Sequence, residues 1–184
     1  MSDLAPFRDA GASRADAAAP NAGGGEPAAK IPGQLISFMI GNDQYGVDIM
    51  AVREIKGWTE ITHLPKQPDY MRGVLNLRGV IVPIIDLRCR FGQGLTEATV
   101  LHVVIIVQMN QHLVGLLADR VSDIITVDAG RFKPVPKVIR SSRLDLLSGI
   151  ATTDDAMIAI IELSNVLPAS SKLAAATTRE RIAA

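Results

Sequence analysis

Residues 73–87 read GVLNLRGVIVPIIDL, and the reading of this stretch decides the fold. Two apolar runs, 74–75 and 80–85, flank the polar turn Asn76-Leu77-Arg78-Gly79, where glycine supplies the positive φ that a short hairpin loop needs. The pattern predicts strand, turn, strand. Pro83 has no N–H to give to a ladder, so its strand is expected at a sheet edge or with a bulge at that point. Arg78 at the tip is either held by a carboxylate from elsewhere in the chain or presented to a partner.

Upstream, 35–40 reads as an apolar strand, 41–44 as a turn, 45–49 as a half-buried alternating strand and 50–55 as a further extended segment. A loop over 58–67 leads through Pro68-Asp69 into a short helical turn, 69–72. Downstream, 88–98 is a polar connection, followed by a strand over 101–108, a turn at Asn110-Gln111 and a strand over 113–117.

The second half repeats the first. A shift of 69 lays Gly115 on Gly46, Val121 on Val52, Asp123 on Glu54 and Ile124 on Ile55, a shared G-x5-V-x-[ED]-I spacing. Each copy then enters a proline-bearing loop (Pro65 and Pro68; Pro134 and Pro136) and a short helix, 69–72 or 143–147. A shift of 76 lays Gly149 on Gly73 and MIAIIEL (157–163) on IVPIIDL (81–87). This is an internal duplication. Each copy holds about five short strands at barrel-like spacing, so the expected architecture is all-β, with two five-stranded barrels, 34–97 and 98–168, sharing a core. Residues 1–33 are rich in Ala, Gly, Pro and Asp and are expected to be a disordered tail. Residues 169–184 form a solvated end, with a marginal helix over 173–182.

The composition excludes several classes. Of 184 residues 48% are hydrophobic, with 19 Lys+Arg against 19 Asp+Glu; zero net charge gives no basic field for nucleic acid or an anionic membrane surface. Only 4% are aromatic, which also speaks against single-strand stacking platforms. No apolar run approaches the roughly 18 residues of a spanning helix, and the N-terminus lacks an apolar signal core. The single cysteine, Cys89, fits a reducing compartment. A cytoplasmic protein is expected.

No catalytic constellation emerges. His63, His102 and His112 fall on a loop, a strand start and a turn without metal-ligand spacing, so no metal and no cofactor are expected. Cys89 lies between Arg88 and Arg90, which would lower its pKa were it exposed; the plainer reading is a half-buried small residue. Asp86 and Glu162 occupy equivalent strand ends, a capping or pairing position. What remains is surface. Val52 and Glu54, with Val121 and Asp123, occupy equivalent motif positions and can face a common groove of the kind that accepts a helix. Alternatively the valines are core and Glu54 pairs with Arg78; the two readings are compatible.

From about residue 34 to 168 the chain resembles the CheW-type chemotaxis coupling proteins, on the stretches YGVDIMAVREIKG, GVLNLRGVIVPIIDLR and VGLLADRVSDI followed by the KPVP loop. The resemblance implies two SH3-like five-stranded barrels around a shared hydrophobic core. It implies a non-catalytic adaptor that grips the cytoplasmic tip of methyl-accepting chemoreceptors, docks on the regulatory domain of the histidine kinase CheA and helps build membrane-associated arrays. Carried onto this chain, the receptor surface comprises Val52, Glu54, Gly73, Gly115, Val121 and Ile124. The kinase surface comprises Arg78 and Ile81 on the first barrel and Pro136, Lys137 and Val138 on the second. Lys137-Val138 stands where the family commonly has an acidic residue and an aromatic, which weakens the second kinase contact. The alternatives are a coupling protein of gliding or pilus motility, or a small-barrel enzyme or nucleic-acid binder that shares only the architecture.

Overall fold

The computed structural model describes residues 33–135, 144–154 and 156–167. The tails and the Pro136-Lys137-Val138 turn fall outside the described residues. The described residues form eleven strands, in chain order β1 (Gln34–Ile40), β2 (Asp43–Asp48), β3 (Val52–Gly57), β4 (Met71–Leu77), β5 (Val80–Asp86), β6 (Val103–Met109), β7 (His112–Ala118), β8 (Arg120–Thr126), β9 (Phe132–Pro134), β10 (Leu147–Thr152) and β11 (Met157–Ile161). One-turn helices, α1 (Leu87–Arg90) and α2 (Leu163–Val166), follow β5 and β11. The fold is all-β, as the β-branched runs require.

The strands form two curled, unclosed sheets, ordered β8-β1-β2-β11-β10-β9 and β3-β6-β7-β5-β4. Both sheets draw on both copies of the repeat. The first hairpin of each copy, β1–β2 or β6–β7, crosses to the sheet that holds the closing hairpin of the other copy. The junctions are equivalent: β2 pairs in parallel with β11 through Gly46↔Ile160, and β7 with β5 through Gly115↔Ile84. The duplicated glycines are needed there. A Cβ on Gly115 would lie 2.5 Å from Ile84 Cδ1 and 2.7 Å from Val104 Cγ1, and one on Gly46 would lie 3.1 Å from both Ile158 and Leu35.

This exchange produces one core. Its largest cluster joins Phe38, Ile40 and Val47 of the first copy to Ile105, Val107 and Leu116 of the second, with Ile85 and Leu87 between. Side chains such as Phe38, Ile105 and Leu116 are fully buried, each contributing roughly 1.5–3 kcal/mol of transfer free energy. Smaller clusters around Ile84 and Ile106, and around Leu35 and Ile160, fill the two sheets.

Several local expectations are corrected. The central turn is only Arg78-Gly79, with φ of 54° and 88° and Leu77 facing Val80, a two-residue hairpin loop of the type I′ class. Asn76 and Leu77 belong to β4. β5 is interior rather than an edge strand, yet Pro83 is tolerated because the ladder with β7 begins one residue later, at Ile84. The bulge falls on β4 rather than on β5, between Met71 and Gly73, opposite Ile84 and Ile85 just after Pro83. Residues 49–51 form a 3₁₀ turn instead of extended chain, because Asp48 Oδ1 accepts from Met50 N at 3.0 Å. The turn at 69–70 gives way to β4 at Met71, whose N–H donates to Pro68 O. Of the helix expected over 143–147, Leu144–Leu146 is a 3₁₀ turn and Leu147 opens β10. The second copy also gains β9, which pairs with β10; the first copy has a lone bridge, Thr62↔Val74, in the same place.

Candidate functional site

Edge strands β3 and β8 carry the duplicated V-x-[ED]-I. Each bulges at the same motif position: the ladder steps from Val52↔Val107 to Glu54↔Ile106 in one and from Val121↔Phe38 to Asp123↔Ser37 in the other. Arg53 and Ser122 are thus the extra residues, and the bulges re-aim the side chains on either side. In the second copy the fully buried Ser37 fastens the bulge, donating to Asp123 O at 3.0 Å and accepting from Asp123 N at 3.1 Å. Val52 and Val121 are half-buried against the same core cluster. Ile55 and Ile124 point out, 42% and 55% exposed. The shift of 69 equates Ile55 with Ile124, and its exposure adds it to the residues of these edges.

Gly73 and Gly115, expected on the receptor surface, present no side chain to these edges. Both are buried. Gly73 has φ +139°, and a Cβ there would meet Thr62 O at 2.2 Å. It lies on β4, the opposite edge of its sheet from β3.

The hairpin tip closes that gap. Arg78 reaches Glu54 on β3, Nη2 to Oε2 3.7 Å, with the Arg78 side chain 84% exposed. The expected pair exists, as a long and solvated one that joins the two edges of an open sheet and leaves the guanidinium free to turn outward. Beside it Ile81 is 60% exposed. The copy β10–β11 has the same form with the opposite sign. Asp154, which a shift of 76 lays on Arg78, pairs with Arg131 at 3.0 Å, and Met157, laid on Ile81, is 66% exposed. Asp154 and Met157 were not singled out from sequence, although the same shift contained them.

Beneath the first hairpin, Asp86 is fully buried. It caps α1 by accepting from Cys89 N, takes Thr96 N and Oγ1 at 2.8 Å each, and pairs with Arg72 at 3.2 Å. Its counterpart Glu162 caps α2 through Ser164 N. Both positions therefore serve capping, and Asp86 adds pairing. A second hub has no counterpart: Asp119 accepts from Arg88 Nη2 at 2.6 Å and Gly41 N at 2.7 Å, and faces His102 Nε2 at 3.7 Å. It links α1, the β1–β2 turn and the chain entering β6 to the start of β8. Its repeat equivalent is Met50, so no pattern marked it.

Groups with reactive chemistry lie apart. His63 is on an exposed loop, His112 opens β7 and His102 is engaged by Thr99 and Asp119. Among the described residues no three His, Cys, Asp or Glu side chains gather as metal ligands. Burial, then the nearby Asp86, push the Cys89 thiol up, outweighing Arg72; the half-buried reading holds and the activated one does not. No helix among the described residues is long and apolar enough to cross a membrane.

Comparison with known proteins agrees with this geometry. Residues 34–171 match the model of the CheW-like domain. The chain is 42% identical over 142 residues to a chemotaxis protein CheW of Rhizobium meliloti, covering 77% of this chain and 92% of that one. It is 36% identical over 134 residues to that of Klebsiella aerogenes, covering 73% and 81%. The crystal structure of the scaffolding protein TtCheW from Thermoanaerobacter tengcongensis superposes with a TM-score of 0.65 at 36% identity, covering 72% of this chain and 86% of that one. With its SH3-like double-sheet fold, its duplicated edge-strand motif and these relatives, the chain belongs to the CheW-like domain family.

Proposed function

We propose that this chain is a chemotaxis coupling protein, a scaffold that joins chemoreceptors to the histidine kinase CheA in signalling arrays. It is not an enzyme: its relatives are named as chemotaxis and scaffolding proteins. The observation that carries the reading is the family match over 34–171 together with two distinct exposed surfaces on one rigid core. The bulged edges β3 and β8, with Val52, Glu54, Val121 and Ile124, receive the helical receptor tip, while Gly73 and Gly115 keep the strands beneath in place. The tip of β4–β5, with Arg78 and Ile81, meets the kinase as the main contact; Pro136-Lys137-Val138 is the weaker second one, since Lys137-Val138 replaces the acidic residue and aromatic common in the family. The working region is 34–168, in two repeat units, 34–97 and 98–168, between terminal segments 1–33 and 169–184. The site of action is the cytoplasmic face of the membrane, reached through the receptors and without nucleic acid, metal or cofactor.

Because a receptor shifts kinase activity only if its signalling states bind the scaffold differently, loss of the receptor surface should uncouple the system without unfolding it. Glu54→Lys and Ile124→Asp should each abolish co-sedimentation with chemoreceptor-containing membranes while the circular dichroism spectrum stays native. Undiminished co-sedimentation of both variants overturns the assignment.

A further inference from the structure

An open surface cavity of about 500 Å3 lies beside β4, lined by His63, Asp69, Met71, Arg72, Leu95, Thr96 and Glu97. Its one guanidinium is already committed: Arg72 Nη1 donates to Asp86 at 3.2 Å and to Thr96 O at 2.7 Å. The carboxylates of Asp69 and Glu97 are exposed and, among the described residues, enter no ion pair. Met71 is half-buried and Leu95 is 55% exposed. The lining therefore offers uncompensated negative charge around apolar surface.

Arg90 links the last described turn of the chain, α2, to Tyr70 on the approach to β4. Val166 O accepts from Arg90 Nε at 3.2 Å, and the same guanidinium lies 4.8 Å over the ring of Tyr70, the residue between the lining residues Asp69 and Met71. The segment that follows, PASSKLAAATTRERIAA (168–184), carries Lys172, Arg179 and Arg181 against Glu180 alone, with Leu173 and Ile182 as its large apolar side chains. The N-terminal segment 1–32 has the wrong charge, with Asp3, Asp9, Asp16 and Glu26 against Arg8, Arg14 and Lys30. At about 3.3 Å per extended residue, the five residues from Leu167 to Lys172 span about 17 Å.

We propose that this C-terminal segment docks in the cavity, with Leu173 against Met71 and Leu95 and the Lys172 ammonium between Asp69 and Glu97. Docking ties the C-terminal end of the second copy to the outer strand of the first copy's closing hairpin. It also covers the flank of β4 beside Gly73, which Thr62 bridges through a single pair of backbone hydrogen bonds with Val74.

The test is paramagnetic relaxation in the full chain. A nitroxide at Ala175→Cys, in a Cys89→Ala background, should quench the amide signals of Leu95, Thr96 and Glu97 in dilute, low-salt solution. The quenching should fade at about 1 M salt, where the Debye length falls to about 3 Å, and vanish in an Asp69→Lys/Glu97→Lys variant whose remaining spectrum is native. No quenching at low salt, or quenching indifferent to the double reversal, overturns the proposal. Quenching seen only when labelled and unlabelled chains are mixed also overturns it, assigning the cavity to a second copy.

Discussion

The hairpin β4–β5 and its copy β10–β11 are alike below and opposite at the tip. Below, the correspondence is close. Asp86 N donates to Tyr70 O at 2.7 Å and Glu162 N to Leu146 O at 2.8 Å, and each acid caps the short helix that follows. At the tip, a two-residue turn with a basic residue faces an acid, whereas a longer turn with an acidic residue, pinned by Thr153 to Ala156, faces a base. Duplication thus preserved register and capping, which the core enforces, and released the solvent-facing tips, where a change of charge costs little. Divergence at the tips gives two otherwise similar hairpins different surface chemistry.

The comparison breaks most visibly where the copies differ in burial. Asp86→Ala strands a mostly buried Arg72 and removes the anchor of the 91–100 connection, so urea denaturation should show a loss of about 3–5 kcal/mol; Glu162→Ala, losing a partly solvated cap, should cost about 1 kcal/mol. Equal losses would deny that the two acids have diverged. Next come the glycines before each closing strand. Gly73→Ala combines a left-handed φ with a backbone clash at Thr62 O and should cost about 3 kcal/mol. Gly149→Ala, which would meet the Phe132 ring at 2.4 Å and Lys133 O at 2.8 Å but has no positive φ, should cost less, about 1–3 kcal/mol, in the same measurement.

Smaller still is the stability effect of the tips. Arg78→Asp and Asp154→Arg should each change unfolding free energy by less than about 1 kcal/mol, and the double exchange should leave the fold unaltered. The smallest effect concerns Cys89. Since burial and Asp86 raise its pKa, thiolate is scarce near neutral pH, and alkylation by iodoacetamide should be slower than that of free cysteine and should accelerate as pH rises. Fast alkylation at neutral pH would contradict the placement of α1.

Much of this was legible in the sequence because strand identity is local. The β-branched runs at 80–85 and 103–107 and a turn ending at Gly79 each declare themselves within a few residues, although the turn is Arg78-Gly79 alone and Asn76-Leu77 extends β4; the two shifts, 69 and 76, expose the repeat without any structure. The hairpin exchange between sheets was not legible, since both arrangements satisfy the same alternation and only long-range packing at Gly46 and Gly115 selects one. The 3₁₀ turn at Ile49–Ala51 escaped because a single side-chain bond from Asp48 outweighs an apolar, strand-like pattern. Among site residues, Glu54–Arg78 followed from charge and turn geometry. Asp119 did not, since its partners Gly41 and Arg88 are 78 and 31 residues away and its repeat equivalent is a methionine.

The most direct measurement is a three-component sedimentation of chemoreceptor membranes, the kinase CheA and this protein. The kinase should pellet with the receptors only when the protein is present. Arg78→Asp should release the kinase while the protein itself still pellets, whereas Glu54→Lys should leave both in the supernatant. Kinase sedimentation that is independent of the protein, or unchanged by both variants, would contradict the coupling role and the division of labour between the hairpin tip and the bulged edges.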